Sequence, residues 1–380
     1  MQGSKFFMNK SFLKKLIILL MAFSLIFLLV GCGGGDGNTP DDPSSGDNGT
    51  ETTPPSGGDT GDGPEEPDEP EEPVDCVHSY IESIEVPVKV LTNGLKMKVC
   101  ELCGELTTEE IPATKSIKLL AIGNSFSDDA MEYLWDIFND GGVEEITLGR
   151  LYIGSCTLET HYSNLTEDNA SYRYYKNTDG EWSYENDTSI KTALEEEEWD
   201  VITLQQASGS SGVQDSYYCL EELIDELELL EPNADIFWHM TWAYQQDSTH
   251  SAFPNYNSDQ LTMYSAIIST VKKAVEKADV LGIIPVGTAI QNIRTSYVGD
   301  TVTRDGYHMS YDLGRYTAAL TWFAFFTGAD PATVDWVPSD YEQKVTENLE
   351  VIRESVTNAL KDPYNTTQSE YSVAPNATEQ

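Results

Sequence analysis

Positive charge is scarce in this sequence. The 380 residues include 22 Lys and Arg against 64 Asp and Glu, which gives a formal net charge of −42. Nucleic-acid binding needs a basic surface that faces the phosphates, so this composition excludes nucleic acid as a partner. It also excludes purely electrostatic docking on anionic lipid. Net charge does not determine a fold, so the fold class must come from the pattern of apolar residues.

Residues 33–75 lack Lys, Arg and every aromatic residue. Gly, Pro, Ser, Thr, Asp and Glu dominate the segment, and 14 of its residues are acidic. A chain of this composition cannot bury enough apolar surface to offset the entropy lost on ordering. Its prolines and like charges keep it extended. We therefore predict a disordered tether over residues 32–75, although a linker with no role beyond connection has the same composition.

The N-terminal segment has the pattern of an export signal. Four lysines precede an apolar run of 15 residues, Leu16 to Val30, which is too short to favour spanning a bilayer of about 30 Å. The run ends in Leu-Val-Gly followed by Cys32, which resembles a bacterial lipobox. The resemblance implies a lipoprotein signal peptide over residues 1–31 and a diacylglycerol on the sulfur of Cys32. The protein would then be exported and held by this lipid at the outer face of the cell membrane. An ordinary signal peptide or an uncleaved anchor is the alternative.

A small module with cysteines follows over residues 76–113. A Cys-x-His pair lies before a predicted β-hairpin with an Asn-Gly turn, and a Cys-x-x-Cys-Gly knuckle lies after it. The pattern supplies four zinc ligands and resembles small zinc-ribbon-like modules of bacterial surface proteins. The candidate ligands are Cys76, His78, Cys100 and Cys103. Because an exported protein can oxidise its cysteines, a disulfide between Cys100 and Cys103, or from Cys76 to either, is the alternative.

From residue 116 to residue 361, short apolar segments alternate with helical patterns. The predicted strands are Ile117–Ile122, Ile146–Ile153, Val201–Leu204, Ile236–Met240 and Gly282–Val286. Such alternation is typical of a parallel sheet with helices on both faces. We therefore predict one α/β domain, a three-layer sandwich with a sizeable core. The polar residues 362–380 predict a disordered tail.

Polar and titratable side chains follow these strands. In open α/β sheets, ligands bind at the carboxyl ends of the strands. Ser125 follows the first strand, and a loop after the fifth strand carries Asp305 and His308. His308 can take the proton of the Ser125 hydroxyl, and Asp305 can hold the other imidazole nitrogen. The backbone N–H groups of Ser125 and Gly154, with a side-chain amide after the third strand, can bind an oxyanion. These residue types indicate acyl transfer.

The domain resembles the SGNH (GDSL-type) hydrolases, and in detail their branch described as DUF4886. The resemblance covers residues 117–328 almost throughout. It rests on the stretches 123–127, 199–208, 240–244, 284–290 and 304–308. It implies a flavodoxin-like sandwich with Ser125 as the nucleophile, Asp305 and His308 as its partners, and Gly154 as an oxyanion donor.

Two positions depart from the pattern of that family. Asn124 stands where the commoner motif has Asp, and the third block lacks the usual Gly-x-Asn-Asp that supplies an oxyanion Asn. Gln carries the same donor on a longer stem, so we assign this role to Gln206, with Gln205 as the alternative. No Gly-x-Ser-x-Gly elbow lies at a strand end, so an ordinary α/β-hydrolase is not indicated.

Several further side chains have candidate roles. Aromatic rings in an insertion between the second and third strands can stack on sugar rings, or they can pin a long loop to the domain. The candidates for substrate contact are Tyr174, Tyr175, Trp182, Trp242 and Arg304. Cys156 and Cys219 are interpreted as a disulfide or as two buried thiols. The imidazoles of His161, His239 and His250 are interpreted as structural or surface groups.

Together these patterns predict a surface-anchored serine ester hydrolase. Its expected substrate is a carbohydrate that carries a small acyl group such as acetyl, and its chemistry needs no cofactor. The alternatives are a lipase- or thioesterase-type acyl hydrolase and a non-catalytic glycan-binding protein on the same fold. A structural zinc in residues 76–113 is the one predicted metal.

Overall fold

The computed structural model describes residues 77–374. The predicted signal peptide, the lipidation site Cys32, the tether and the candidate ligand Cys76 lie outside these described residues. The chain divides into two compact units. The small unit comprises, among the described residues, 77–85 and 97–108, and the large unit comprises 86–96 and 109–374. The small unit is thus shorter than the module predicted over residues 76–113.

Three strands form a small sheet in the order β1-β2-β3. They are β1 (Tyr80–Val86), β2 (Gly94–Cys100) and β3 (Leu106–Ile111). Among the described residues of the small unit, Cys100 alone is buried. Burial of apolar surface therefore contributes little to the stability of the small unit.

Seven strands form the sheet of the large unit, in the order β10-β9-β8-β4-β5-β6-β7. They are β4 (Ser116–Gly123), β5 (Glu145–Tyr152), β6 (Tyr172–Asn177), β7 (Ser183–Thr188), β8 (Val201–Leu204), β9 (Asp235–His239) and β10 (Gly282–Ile284). The five strands from β10 to β5 pair in parallel, and β6 and β7 add an antiparallel edge. The predicted parallel sheet is confirmed, and its five parallel strands are the five predicted ones.

Ten α-helices accompany this sheet in the described residues. They are α1 (Ser125–Met131), α2 (Leu134–Asp140), α3 (Leu158–Thr166), α4 (Ile190–Glu195), α5 (Leu220–Leu230), α6 (Gln260–Thr270), α7 (Val286–Ile293), α8 (Leu313–Thr327), α9 (Glu342–Thr346) and α10 (Leu349–Lys361). Helices α1, α2, α7, α8 and α10 pack with one another, and α3 packs with α4 and α5. Right-handed crossovers place helices on opposite faces where the strand order reverses. The result is the predicted three-layer α/β sandwich.

The strand order reverses beside β4, which pairs with β5 on one side and with β8 on the other. At such a reversal the loops diverge and leave a crevice at the carboxyl ends of the strands. β4 is buried at six of its eight positions, because its apolar run lies in the middle of the sheet. The residues that follow β4 are therefore placed on a rigid support.

Helix α8 is a long helix buried on almost every side. Thirteen of its 15 residues are buried, including Tyr316, Trp322 and Phe323. A helix that is apolar on all sides lies in the core of a protein or in a membrane. Within residues 77–374, no helix is both long and apolar enough to cross a membrane.

The predicted disordered tail is wrong for residues 362–371. The N–H of Thr367 donates to Oδ1 of Asn292 over 2.7 Å, and the N–H of Tyr297 donates to the carbonyl of Tyr371 over 2.8 Å. The segment is polar in sequence, but its backbone groups find partners at the end of α7. Residues 375–380 lie outside the described part of the chain.

Candidate active site

Ser125 lies directly after β4, at the first position of helix α1. The side chain of Asn124 caps this helix, because its Oδ1 accepts from the N–H of Phe126 over 3.0 Å. The first N–H groups of a helix have no partner within the helix. The N–H of Ser125 is one of them, so the residue offers both a hydroxyl and a free backbone donor.

Ser125, His308 and Asp305 form a continuous chain of hydrogen bonds. Nε2 of His308 lies 2.8 Å from Oγ of Ser125, and Nδ1 of His308 lies 2.7 Å from Oδ2 of Asp305. Because the ionised carboxylate accepts, Nδ1 carries the hydrogen and Nε2 is left to accept from the serine hydroxyl. The structure thus brings together all three predicted catalytic residues.

Asp305 is held ready for this role by the turn that follows it. Its Oδ1 accepts from the N–H groups of Tyr307, over 3.2 Å, and His308, over 2.8 Å. Gly306 has a φ of +89°, which a residue with a side chain adopts only under strain. Partial burial alone would raise the pKa of Asp305, but the hydrogen bonds from His308 outweigh it and hold that pKa below its usual value.

A buried carboxylate fixes the loop that carries the Asp-His pair. Asp129 is 0% exposed and accepts from Arg304 over 2.8 Å, from Arg315 over 2.9 Å and from the N–H of Met309 over 2.8 Å. Two cations and one backbone N–H therefore compensate the buried charge. Sequence reasoning missed Asp129, because it is one of two adjacent aspartates and only tertiary contacts distinguish them.

A tight turn after β5 places the second block of the site. The N–H of Cys156 donates to the carbonyl of Ile153 over 3.2 Å, and Ser155 between them has a φ of +55°. Nδ2 of Asn124 donates to the carbonyl of Cys156 over 3.2 Å and so ties this turn to the end of β4. Gly154, the predicted oxyanion donor, lies in the turn and lines the same cleft as Ser125.

The two glutamines after β8 do not serve the predicted oxyanion role. Gln206 is buried, its Oε1 accepts from the N–H of Leu158 and its Nε2 donates to the carbonyl of Ser216 over 2.8 Å. Gln205 is buried as well, and its Nε2 donates to Oδ1 of Asn124 over 2.6 Å. Neither glutamine lines the cleft. Their amides are bound to structural partners and brace the loops of the site.

The triad opens into a cleft of about 440 Å³. Its lining comes from the ends of three neighbouring strands and from two later loops, as the fold rule predicts. The lining residues are Asn124, Ser125, Asp128, Tyr152, Gly154, Ser155, Thr157, Ala207, Ser208, Gly209, Ser210, His250, Arg304, Tyr307 and His308. None of the described residues of this lining is Leu, Ile, Val, Met or Phe, so the cleft is polar.

His250 lines this cleft, a position that the interpretation as a structural or surface group did not foresee. Its Nδ1 accepts from the N–H of Ala252 over 3.1 Å, so its Nε2 carries the hydrogen. Burial, and then the neighbouring His308, lower the pKa of His250. The imidazole is therefore a neutral donor near neutral pH. Its ring centroid lies 4.7 Å from that of Tyr307.

The predicted aromatic contacts to substrate are not in the cleft. Tyr174 and Trp242 are buried, and Nε1 of Trp242 donates to the carbonyl of Tyr307 over 2.7 Å. Tyr175 and Trp182 lie on two sides of the Arg150 guanidinium, with ring centroids 4.3 and 4.4 Å from it. The insertion is no free loop, because it forms β6 and β7 and extends the sheet.

Arg304 is the one predicted substrate contact that lines the cleft. Its guanidinium is held by the buried Asp129 and lies over the ring of Tyr311, 4.8 Å from the centroid. These partners assign Arg304 first to holding its own loop in place.

Cys156 and Cys219 are two free buried thiols, not a disulfide. Sγ of Cys156 lies 3.5 Å from Nδ1 of His161, but burial raises the pKa of this thiol to about 12. Burial also lowers the pKa of His161 to about 3 and that of His239 to about 3. Both imidazoles are structural, and the Cys-His pair is not a second nucleophile.

The candidate metal ligands lie in the small unit. The ligand atoms of His78, Cys100 and Cys103 all lie within 4.8 Å of one another. Cys76, the fourth predicted ligand, lies outside the described residues.

Comparisons with known proteins agree with this architecture. The family model "Domain of unknown function (DUF4886)" matches residues 118–357. The chain is similar to a solved DUF4886 family protein from Bacteroides uniformis, with 39% identity, a TM-score of 0.63 and coverage of 67% of this chain and 98% of that chain. No curated protein sequence matches the chain.

Two weaker likenesses are to a candidate SGNH hydrolase from Slackia heliotrinireducens and to a family 3 carbohydrate esterase from Clostridium thermocellum. The first has 18% identity, a TM-score of 0.38 and coverage of 55% of this chain and 97% of that chain. The second has 16% identity, a TM-score of 0.34 and coverage of 56% and 95%.

Proposed function

The chain belongs to the DUF4886 family, and because that description leaves the activity open, we propose from the geometry of the cleft that it is a serine hydrolase that cleaves esters. The hydrogen-bonded chain from Asp305 through His308 to Ser125 carries this proposal. The same three groups in this order of contact activate a serine in unrelated folds.

The reaction proceeds in two halves. Oγ of Ser125 attacks the ester carbonyl carbon while its proton moves to Nε2 of His308. The carbon–oxygen bond of the ester then breaks, the leaving alkoxide takes that proton, and the acyl group stays on Ser125. A water molecule repeats the attack on the acyl carbon, releases the acid and restores the serine. Asp305 remains ionised and stabilises the imidazolium of His308 in both halves.

The negative oxygen of each tetrahedral intermediate is bound by backbone N–H groups. The donors are those of Ser125, at the start of α1, and of Gly154, in the turn after β5. No side-chain amide of the third block takes part, because Gln205 and Gln206 are bound elsewhere. Each such donor in an oxyanion hole contributes roughly 100- to 1,000-fold to the rate.

A small acyl group on a polar alcohol fits this cleft best. A long fatty acyl chain needs an apolar wall to replace water, and the lining offers hydroxyls such as those of Ser155, Thr157 and Ser210 instead. Hydroxyl groups of a sugar find hydrogen-bond partners on such a surface. We therefore favour an acetylated carbohydrate over a lipid. Asp128 also lines the cleft, and its carboxylate is paired with the Arg150 guanidinium over 2.8 Å.

Hydrolysis of p-nitrophenyl acetate tests the proposal. We expect Ser125→Ala to lose about 10⁴-fold or more in kcat, because the nucleophile is gone. The matched control is Ser265→Ala, which alters an exposed serine of α6 and should keep the wild-type rate. Equal rates for wild type and Ser125→Ala would overturn the assignment of Ser125 as the nucleophile. A panel of acetylated glycans and of long-chain esters then distinguishes a carbohydrate esterase from a lipase.

Attachment to the cell surface is a separate part of the proposal. Its support is the lipobox-like sequence at Cys32 and the tether that follows it. Cys32→Ala should abolish incorporation of labelled fatty acid in a bacterial host, whereas Cys219→Ala should not. Labelled Cys32→Ala protein would show that the anchor lies elsewhere.

A further inference from the structure

The small unit holds three metal-ligating side chains in one place, and none of them has a part in the proposed ester cleavage. A ring nitrogen of His78 and the sulfurs of Cys100 and Cys103 lie within 4.8 Å of one another. We propose that the small unit binds one Zn²⁺ ion through these three atoms and that this ion, not an apolar core, holds the unit together.

The spacing of the ligand atoms agrees with a tetrahedral zinc ion. Zn–S bonds of about 2.3 Å and Zn–N bonds of about 2.0 Å place neighbouring N and S ligands roughly 3.6 Å apart. Nδ1 of His78 lies 3.4 Å from Sγ of Cys103. A small outward movement of these side chains is enough to admit the ion.

The orientation of His78 is also that of a metal ligand. Its Nε2 lies 2.9 Å from Oε2 of Glu105, so the carboxylate accepts from Nε2–H and the lone pair of Nδ1 faces the sulfurs. Zinc-bound histidines commonly donate their second nitrogen to a carboxylate, which fixes the ring and raises its basicity. The ring also stacks on Tyr80, with centroids 5.4 Å apart. Glu105 is therefore a positioning residue for the ligand.

The turn between the two cysteines brings both sulfurs to the same side. β2 ends at Cys100, whose carbonyl accepts from the N–H of Gly104 over 2.9 Å and whose N–H donates to the carbonyl of Glu105 over 2.8 Å. Gly104 has a φ of +74°, a conformation that favours glycine. The N–H of Glu101 donates to the carbonyl of Ser79 over 2.8 Å and so ties the knuckle to the segment that carries His78.

The composition of the small unit explains why an ion is needed. Large apolar side chains are exposed there: Val77 is 86%, Leu102 is 70% and Leu106 is 58% exposed. Domains this small, without a core, are usually held by a metal or by disulfides. A Cys100–Cys103 disulfide would not explain the positions of His78 and Glu105, and the two sulfurs are not bonded to each other. The three described ligands carry the proposal, since Cys76 lies outside the described residues.

Metal analysis of the full chain, purified without chelator, tests the proposal. We expect one zinc per chain, and Cys103→Ser should contain less than about a tenth of that. Cys219→Ser, which alters a buried thiol of the large unit, is the matched control and should keep its zinc. Replacement of zinc by Co²⁺ should give sulfur-to-metal charge-transfer absorption, which shows direct thiolate ligation.

Glu105→Gln keeps the test informative if Cys103→Ser fails to fold. This variant retains all three ligands, and we expect its zinc affinity to fall about 10- to 100-fold in competition with a chelator. An unchanged affinity would overturn the assignment of Glu105. Wild-type protein that lacks zinc, shows no Co²⁺ spectrum and has lost two thiols per chain would establish a disulfide and overturn the metal site.

Discussion

The small and large units keep reactive side chains in place by different means. In the large unit, the loop of Asp305 and His308 is fixed by Asp129, which is 0% exposed and bonded to two arginines. In the small unit, every described residue other than Cys100 is exposed or half-buried, so no packed core fixes His78. Where apolar burial is plentiful, an ion pair can be buried and used as a brace. Where burial is lacking, we infer that a bound cation replaces it.

The largest effect should come from breaking the triad without disturbing its support. Asp305→Asn keeps the shape of the side chain but presents a donor to Nδ1 of His308, which favours the wrong tautomer. We expect kcat for p-nitrophenyl acetate to fall about 10⁴-fold. The control is Asp225→Asn on the exposed face of α5, which should leave kcat unchanged. A loss below tenfold for Asp305→Asn would show that this carboxylate does not orient the base.

Removing the buried Asp129 carboxylate should lower the free energy of unfolding of the large unit. Asp129→Asn removes the charged partner of Arg304 and leaves Arg315 with only the Glu132 carboxylate, at 3.6 Å, and breaking such a buried pair costs about 3–5 kcal/mol. Urea denaturation should show this loss, and Asp340→Asn, at an exposed position, should show none. Exposed ion pairs contribute up to about 1 kcal/mol. A smaller loss of unfolding free energy in Asp129→Asn would mean that this carboxylate does not fix the loop.

Thiol titration should distinguish the two units directly. In native protein we expect no fast reaction of any of the four described cysteines. A chelator should release the exposed Cys103, which only the metal protects, and also the buried Cys100, because the small unit loses the ion that holds it together. Cys156 and Cys219 should react only in denaturant, since burial raises the pKa of both thiols. Four thiols released together by the chelator would show that both units depend on the ion.

The smallest expected effect is a change in the unfolding free energy at low pH. The pKa of Asp305 lies below its usual value of 3.8 in the folded protein, so its hydrogen bonds stabilise the fold above that pH. This contribution is lost as the pH falls through the lower folded-state pKa. The difference in unfolding free energy between wild type and Asp305→Asn should therefore shrink below pH 3.8. A difference that is constant with pH would contradict this linkage.

The architecture of the large unit could be predicted from its sequence because its strands are short apolar runs. Val201–Leu204 was placed without error, since all four of its residues are buried. The edge hairpin was missed, although Tyr172 and Tyr174 alternate with exposed Arg173. Its second strand, Ser183–Thr188, is polar at nearly every position and has no apolar pattern to detect.

The triad could be predicted because its residues follow strands in a characteristic order. The roles of Gln205 and Gln206 could not be predicted. The role of a buried amide depends on its hydrogen-bond partners, which come from distant parts of the chain. Gln205 accepts from the hydroxyl of Ser127 over 2.6 Å and lies 3.1 Å from Nδ1 of His239. The same holds for the brace at Asp129, whose partners lie more than 170 residues away.

The open edge of the large sheet has a consequence for behaviour at high local concentration. β7 leaves one row of backbone groups unpaired by any other strand of the described sheet. Five of its six residues are exposed, and they include the carboxylates of Glu185 and Asp187. A second copy that paired along this edge would bring like charges together, and Asp187, with a φ of +57°, interrupts the straight edge that pairing requires. The polar composition of β7 left no apolar pattern from which to predict the strand. The same composition disfavours edge-to-edge aggregation.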